Sequence, residues 1–224
     1  MSDAASDLRT PRTTVKRRRE RARYERAAVE AILDEALVCH LGFVAEGQPF
    51  VIPTTYARVG GTLYVHGAAA GRMLRALAGG VPACVTVTLV DGLVLARSAF
   101  HHSMNYRSVV LLGHARPVDD PAEKRAALAA LVEHVVPGRT QAVRPPSATE
   151  LQQTLVLAMP IAEASAKVRT GPPIDDPADV ALPCWAGEIP LRLVTGAPVA
   201  DPALAAGVAP ERAVTAYRRP GAAA

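Results

Sequence analysis

A polar stretch of the sequence, residues 100–118, brings hydrogen-bonding side chains directly up to a run of aliphatic residues. It reads FHHSMNYRSVVLLGHARPV. Such side chains beside a buried strand either satisfy one another or meet a polar ligand. If His101 and His102 lie on a strand, they point to opposite faces and cannot easily share a metal ion. The segment from Ser103 to Ser108 is therefore the candidate pocket wall.

Two further clusters have side chains that suit ligand binding. His66 precedes a turn of small residues (GAAAGR) that ends in Arg72 and opens a helix. Backbone amides, a helix N-terminus and an arginine can bind an anion there, although small residues before a helix are equally consistent with packing. Lys167 and Arg169 form the third cluster. Together the clusters suit a phosphorylated, planar ligand.

Two common catalytic signatures are absent from the sequence. No HxxxH or HExxH spacing indicates zinc, and no GxSxG elbow indicates a serine hydrolase. We therefore assign no metal-binding residues from the sequence.

Composition and charge restrict the class of protein. The 224 residues are 50% hydrophobic and 4% aromatic, which allows one domain with an aliphatic core. The net charge of +4 comes largely from the basic run at residues 16–23, so a nucleic-acid-binding face on the body is not expected. Three separated cysteines without CxxC spacing, and no apolar run of membrane-spanning length, favour a soluble, cytoplasmic protein.

The elements that must position these clusters are mostly short strands. A helix is predicted from Glu25 to about Ala36, followed by a hairpin of two strands at 37–44 and 49–59. Pro53 makes the second strand an edge or a bulged strand. Later strands are predicted at 62–66, 83–90, 93–98, 154–160 and 184–191, with Asp91-Gly92 as a hairpin turn. Helices are predicted at 73–78, from Asp120 to about His134, and after the capping box at Ser147.

This order of elements predicts an antiparallel barrel or sandwich rather than a doubly wound sheet. Residues 1–22 are expected to be a disordered basic arm, 23–194 the folded domain, and 195–224 a flexible tail rich in alanine and proline.

Several sequence blocks, in this order and spacing, resemble a known family. They are ILDEALVCHLGFV, GQPFVIPTTY, LYVHGAAAGRML, DGLVLARSAFHHSMNYRSVVLLGHARPV and AKVRTGPP. Over residues 24–191 the chain resembles the pyridoxamine 5′-phosphate oxidase-like flavin-binding proteins, in the branch that includes the nitroimidazole-resistance proteins. The resemblance implies a mainly β fold, an antiparallel split β-barrel of the FMN-binding type, with peripheral helices.

The resemblance also implies FMN at a homodimer interface. Residues of the second hairpin strand would lie along the flavin ring: Pro53, Thr54, Thr55 and Tyr56. His66, Gly67 and Ala68 would sit under the ring or ribityl chain, and Arg72 would bind the phosphate. The opening stretch would contribute Asn105, Tyr106, Arg107 and Ser108, while Lys167, Arg169 and Trp185 would close the site. His66 and Tyr106 are the candidate proton donors toward a substrate.

One position departs from the family pattern. Met73 stands where the family often has a second basic residue for the phosphate, so Lys167 or Arg169 would have to compensate. The predicted function is an FMN-dependent oxidoreductase that reduces small nitro or quinone-like acceptors. The alternative is a non-catalytic flavin-binding protein, or a haem- or F420-binding protein of the same fold, with His66 or His102 as the first haem-ligand candidates.

Overall fold

A computed structural model of the chain describes residues 7–218, and residues 1–6 and 219–224 lie outside the described part. Eleven strands lie within it: β1 Ala22–Arg23, β2 Val38–Ala45, β3 Gln48–Thr55, β4 Ala57–Val59, β5 Thr62–Ala68, β6 Pro82–Leu95, β7 Ser103–His114, β8 Arg116–Pro117, β9 Thr154–Pro160, β10 Ala164–Arg169 and β11 Gly187–Pro190. The α-helices are α1 Arg26–Glu35, α2 Arg72–Ala78, α3 Pro121–Val135, α4 Ala148–Gln153 and α5 Arg212–Thr215.

The strands form two antiparallel sheets. The larger sheet has the order β1-β10-β7-β6-β2-β3, with β11 pairing a further part of β6, and the smaller has the order β4-β5-β9-β8. The main core lies between the sheets, where side chains such as Leu41 and Val85 meet Leu63 and Leu157. These findings confirm the prediction of a mainly β, antiparallel fold of the split-barrel type.

Both faces of the smaller sheet are covered. A second, smaller cluster joins Tyr64, Val156 and Ala158 to Val118 and Ala127, and Ala127 belongs to α3. Helix α3 begins as the sequence predicts, because Asp120 accepts a hydrogen bond from the Glu123 amide and Pro121 occupies the first turn. The capping box at Ser147 is likewise confirmed.

The predicted hairpin turn at Asp91-Gly92 is wrong. Strand β6 continues through this dipeptide and only shifts register there, between Val90 and Gly92 in its pairing with β7. A Cβ on Gly92 would lie 3.0 Å from the Ile189 carbonyl oxygen. The glycine therefore permits the close approach of β11 at a bulge, rather than a chain reversal.

Pro53 lies in β3, which is an edge strand of the larger sheet. The sequence predicted either an edge strand or a bulged strand at this position. The register between β2 and β3 runs without interruption from Val38↔Thr55 to Ala45↔Gln48, so no bulge accompanies it. An edge strand tolerates proline because no neighbour needs its missing N–H.

The prediction of a disordered arm is wrong for residues 7–22. Leu8 and Thr13 are buried, and β1 pairs with β10. The side chains of Thr10 and Arg12 bind Glu163, and the Tyr24 hydroxyl accepts a hydrogen bond from the Val15 amide at 2.8 Å. The basic residues 16–19 are exposed, and their charge led to the prediction of disorder for the whole arm, including the buried and paired residues on either side of them. Residues 1–6 lie outside the described part.

The tail prediction falls partly outside the described residues, at 219–224. Residues 195–218 are mostly exposed and without regular structure, apart from α5. Glu211, the residue before α5, forms an ion pair with Arg139.

The two adjacent histidines do not lie on a strand. His101 ends a short 3-10 turn, Ala99–His101, and His102 follows it. The argument from strand alternation therefore rested on the wrong local structure. His101 pairs with Asp176 at 3.2 Å, while His102 Nδ1 lies 2.9 Å from the Ser98 carbonyl oxygen.

Within residues 7–218, no helix combines the length and the apolar character that crossing a membrane requires.

Candidate functional site

A cavity of about 920 Å³ lies between α3, the segment that follows it, and one end of the smaller sheet. Its volume falls within the range of small-molecule and cofactor sites. The wall is mostly aliphatic, with a few polar and cationic side chains at its margin. Its lining residues include Thr55, His66, Arg125, Leu128, Val132, Val136, Arg139, Thr140, Arg144 and Glu150.

Among the lining residues, His66 has the side chain best suited to bind a metal ion or to exchange a proton. It lies in β5 opposite Val156, two positions after Tyr64, whose side chain packs toward α3. Its Nδ1 atom is buried and has no hydrogen-bond partner among the described residues. Because Nδ1 is buried, a ligand in the cavity would have to bind His66 through Nε2.

Burial sets the protonation state of this imidazole. It lowers the pKa of His66 below the ordinary value of 6.5, because the charged form loses hydration without gaining a partner. The ring is therefore neutral at pH 7. A neutral imidazole with one accessible nitrogen is a common metal ligand.

Helix α3 has one broad apolar face. Ala127 is buried in the second core cluster, whereas Leu131 is buried and lines the cavity, and Val132 also lines it and is 37% exposed. Leu128 touches the second core cluster and also lines the cavity. The apolar face of α3 is therefore shared between the core and the cavity wall.

Three arginines line the cavity with different charge partners. Arg139 pairs with Glu211, and Arg144 forms two bonds to Glu150 at 2.6 and 2.8 Å. Arg125 is exposed and makes only a 3.4 Å bond to the Pro121 carbonyl oxygen among the described residues. The cavity thus combines an aliphatic wall, one neutral histidine and a cationic margin.

The predicted flavin strand divides between two environments. Pro53 and Thr55 lie on the face of β3 that points away from the core, and Thr55 also lines the cavity. Thr54 is half-buried, and its hydroxyl donates to the Thr55 carbonyl at 3.3 Å. Tyr56 is fully buried and donates its hydroxyl to the Leu33 carbonyl. The Tyr56 side chain therefore belongs to the core and presents no surface to a ligand.

The turn after His66 is built partly for packing. A Cβ on Gly67 would lie 3.0 Å from a methyl group of Leu74, so Gly67 lets α2 approach β5. Ala68 is exposed at the end of β5, and Met73 packs against the core. Arg72 is exposed, with its guanidinium carbon 5.0 Å from the centre of the Phe50 ring. Arg72 thus remains available to an anion.

Two predicted cofactor ligands are engaged elsewhere in the fold. Arg107 binds Glu35 of α1 and Asp91 of β6, with its Nη2 atom 2.7 Å from Asp91. Both carboxylates raise the pKa of Arg107. Arg169 is buried and donates to Asn105 and to the carbonyls of Gly171 and Pro172.

The remaining predicted residues lie toward the opposite edge of the larger sheet. Ser108 pairs with Lys167 across β7 and β10, and Tyr106 pairs with Arg169. Tyr106 is partly exposed, whereas Asn105 is buried and also binds Glu188. Trp185 is 67% exposed and lies against Gly187.

The sequence did not predict the wall formed by α3 and the segment after it. Val135, Val136 and Val143 line the cavity. The available signal was the run of aliphatic residues from Leu128 to Val136, which widens the apolar face of α3 and continues past its end.

The family described as pyridoxamine 5′-phosphate oxidase matches residues 25–168. The chain belongs to this family. A comparison with curated proteins gives no match.

Three solved structures place the chain within the family. The flavocytochrome Anf3 from Azotobacter vinelandii is 43% identical, with a TM-score of 0.90 over 96% of this chain and 100% of that one. A FAD and haem binding protein from Mycobacterium smegmatis is 38% identical, with a TM-score of 0.84 over 88% of this chain and 96% of that one. A candidate 5-nitroimidazole antibiotic resistance protein from Bacteroides thetaiotaomicron is 26% identical, with a TM-score of 0.54 over 66% and 86%. The predicted family resemblance is thereby confirmed.

Proposed function

We propose that this protein is a flavin- and haem-binding redox protein in which His66 would hold the haem iron. The observation that carries the proposal is the neutral His66 in a mostly aliphatic cavity of about 920 Å³, with its Nδ1 buried and unpartnered among the described residues. The two relatives at 43% and 38% identity, a flavocytochrome and a FAD and haem binding protein, support it.

The residues of the cavity fit a haem group. Imidazole is a common ligand of haem iron, and the neutral His66 would bind it through Nε2. The aliphatic side chains Leu128, Val132 and Val136 would pack against a porphyrin face and exclude water. Arg125, Arg139 and Arg144 would offer cations to its two carboxylates.

The flavin would occupy the outer face of the larger sheet. Pro53 and Thr55 would lie along its ring, whereas Thr54 and Phe50, on which Arg72 stacks, lie on the opposite face of β3. Arg72 is exposed and stays the candidate for a phosphate. His66, Gly67 and Ala68 were predicted beneath the ring or the ribityl chain, and we now assign His66 to the haem instead. FMN was expected from the sequence, whereas the relative from Mycobacterium smegmatis is described as binding FAD and the one from Azotobacter vinelandii as a flavocytochrome. Extraction of the bound flavin and mass spectrometry distinguish FMN, FAD and F420.

When bound, the flavin supplies one- and two-electron redox chemistry and the haem supplies one-electron chemistry. Tyr106 remains our candidate proton donor to a small nitro or quinone-like acceptor, because it is partly exposed and no described residue bonds its hydroxyl. We propose a homodimer as the functional form, since the outer face of the larger sheet carries exposed valines: Val38, Val44, Val51, Val90 and Val110.

The decisive experiment replaces His66→Ala, with His102→Ala as the matched control. His102 was the other sequence candidate for a haem ligand, but it is exposed and lies outside the cavity lining. Protein is expressed with added haem precursor, and its absorbance spectrum is recorded.

We expect His66→Ala to lose the Soret band and keep the flavin bands, and His102→Ala to keep both. A Soret band of unchanged height in His66→Ala would contradict the assignment of His66. Far-ultraviolet circular dichroism of both variants verifies that the fold is retained.

A further inference from the structure

The segment that follows α3, residues 136–146, forms one wall of the large cavity and has little regular structure. We call it the outer wall. It contains one short 3-10 turn, Arg139–Gln141, and ends just before the capping box of α4. Its residues that line the cavity include Val136, Arg139 and Thr140. Segments of this kind open more readily than packed helices and strands. A group in the cavity would therefore enter and leave by displacing the outer wall.

Each end of the outer wall is held by a glutamate of the adjoining helix. Glu133 of α3 accepts hydrogen bonds from the amides of Gly138 and Thr140, and also from the Thr140 hydroxyl. Glu150 of α4 accepts two bonds from Arg144. These bonds fix the two ends of the wall, whereas its middle needs support from another part of the chain.

The C-terminal part of the chain returns to the body after a long exposed stretch. Residues 191–210 are exposed. The segment that follows, residues 211–217, contains α5, and we call it the C-terminal strap. Four of its residues are half-buried: Glu211, Ala213, Val214 and Tyr217. A helix of one turn is not stable in isolation, so the strap is ordered by its contacts with the body.

The strap contacts the middle of the outer wall. Glu211 forms an ion pair with Arg139, which lies 72 positions earlier in the chain. Ala213 lies close to Gly138, because a Cβ on Gly138 would be 3.7 Å from the Ala213 Cβ. The strap therefore supports the part of the wall that lies between its two anchored ends.

The strap and the large cavity lie on opposite sides of the outer wall. A second cavity of about 350 Å³ separates the strap from the wall, and it is lined from the wall by Pro137, Gly138 and Gln141. These three residues do not line the large cavity, whereas the residues between them do. The strap is thus placed to press the wall toward the large cavity.

We propose that the C-terminal strap closes the large cavity by holding the outer wall in place, with Glu211 as a positioning residue. The side chains of Arg139 and Glu211 are 38% and 34% exposed, so their ion pair stabilises only modestly and permits opening. Arg139 has several N–H donors and can bind Glu211 and a carboxylate of a bound group together. Only the identity of that group as haem rests on the proposed function.

Hydrogen exchange of the haem-free, full-length protein tests the strap without any cofactor. The variant is Glu211→Gln, and the matched control is Asp201→Asn, which removes the same charge from an exposed residue of the tail. Mass spectrometry should show that the peptide spanning residues 136–144 exchanges about threefold faster in Glu211→Gln and at the wild-type rate in the control. Unchanged exchange in Glu211→Gln would overturn the strap.

The rate of haem release tests the effect of the strap on the cavity. It is measured as transfer of haem from the loaded protein to an excess of haem-free myoglobin. We expect release about threefold faster in Glu211→Gln and unchanged in Asp201→Asn. Adding Ala213→Gln places a larger side chain against Gly138, so the double variant should release haem about tenfold faster than the wild type.

The two measurements separate the strap from the haem assignment. Slower release in Glu211→Gln would show that Glu211 competes with haem for Arg139, and would overturn the strap. A wild-type protein that binds no haem but shows the expected difference in hydrogen exchange would support the strap and contradict the proposed function instead.

Discussion

At the scale of single residues, His66 connects the fold to the proposed chemistry. A histidine with a buried, unpartnered nitrogen costs stability, because the imidazole gives up hydration without compensation. The cost is smaller for the neutral ring than for the charged ring, so burial favours the neutral form. The neutral imidazole is also the form that binds iron. The destabilising environment and the proposed ligand role therefore have the same physical origin.

His66 should make the haem-free protein sensitive to mild acid. Its folded pKa lies below 6.5, the value for an exposed histidine, so the unfolded chain binds the proton first as the pH falls. Above pH 7 the ring is neutral in both states and contributes no pH dependence. Between about pH 7 and 5, the free energy of unfolding should fall less steeply in His66→Leu than in the wild type.

Urea unfolding of the haem-free proteins at pH 7.5 and 5.5 measures this difference. His102→Leu serves as the control, because His102 is exposed. An equal or steeper fall in His66→Leu would show that burial of His66 does not lower its pKa.

The sequence selected candidate site residues by type and order, without their spatial surroundings. His66 and Arg72 were selected from the order of residue types around a strand and a turn. Tyr56 and Arg107 were selected on the same grounds, yet Tyr56 lies in the core and Arg107 binds Glu35 and Asp91. The partners of Arg107 are far from it along the chain, so residue order alone could not reveal them.

At the scale of elements, Arg107 links three parts of the fold. It joins β7 to the end of α1 through Glu35 and to the bulge of β6 through Asp91. The bulge explains why a dipeptide typical of hairpins occurs inside a continuous strand. Local turn preference was overridden by pairing on both sides of β6, with β7 and β11.

Arg107→Met should therefore affect stability more than flavin binding. The two carboxylates would lose their shared partner, at a cost of about 1–3 kcal/mol in the free energy of unfolding. Urea unfolding measures this cost, and a flavin titration of the folded variant should give an affinity within twofold of the wild type. A large loss of flavin affinity at unchanged stability would instead assign Arg107 to the cofactor.

The N-terminal arm was the element least accessible to sequence reasoning. Its basic residues indicate a solvated segment, and residues 16–19 are indeed exposed, but Leu8 and Thr13 anchor the chain on the body. Thr10 and Arg12 also hold the arm in place by binding Glu163, which lies far away along the chain. No periodic sequence pattern predicts contacts of this kind.

At the scale of the whole molecule, two faces remain uncovered in the single chain. One is the cavity beside α3, which we assign to haem. The other is the outer face of the larger sheet, where Val38, Val51 and Val110 are exposed. The family resemblance in the sequence implied a homodimer, and therefore a face that a second subunit covers. The cavity depends on the position of α3, which the sequence did not predict.

The outer face should mediate dimerisation. Val51→Lys places a charge on an edge strand of this face, where Val51 is 67% exposed, and should convert the dimer largely to monomer. Val59→Lys makes the same change at a 47% exposed valine of the smaller sheet and should leave the dimer intact. Light scattering coupled to size-exclusion chromatography gives the molar mass, and a dimer that persists in Val51→Lys would contradict this interface.

The central claim is that one chain holds both a flavin and a haem. The most direct measurement is the quantity of each cofactor per chain in purified wild-type protein, obtained by absorbance after extraction. The account predicts one haem and one flavin for each chain when both are supplied. A protein that takes up flavin to that level but no haem would contradict it.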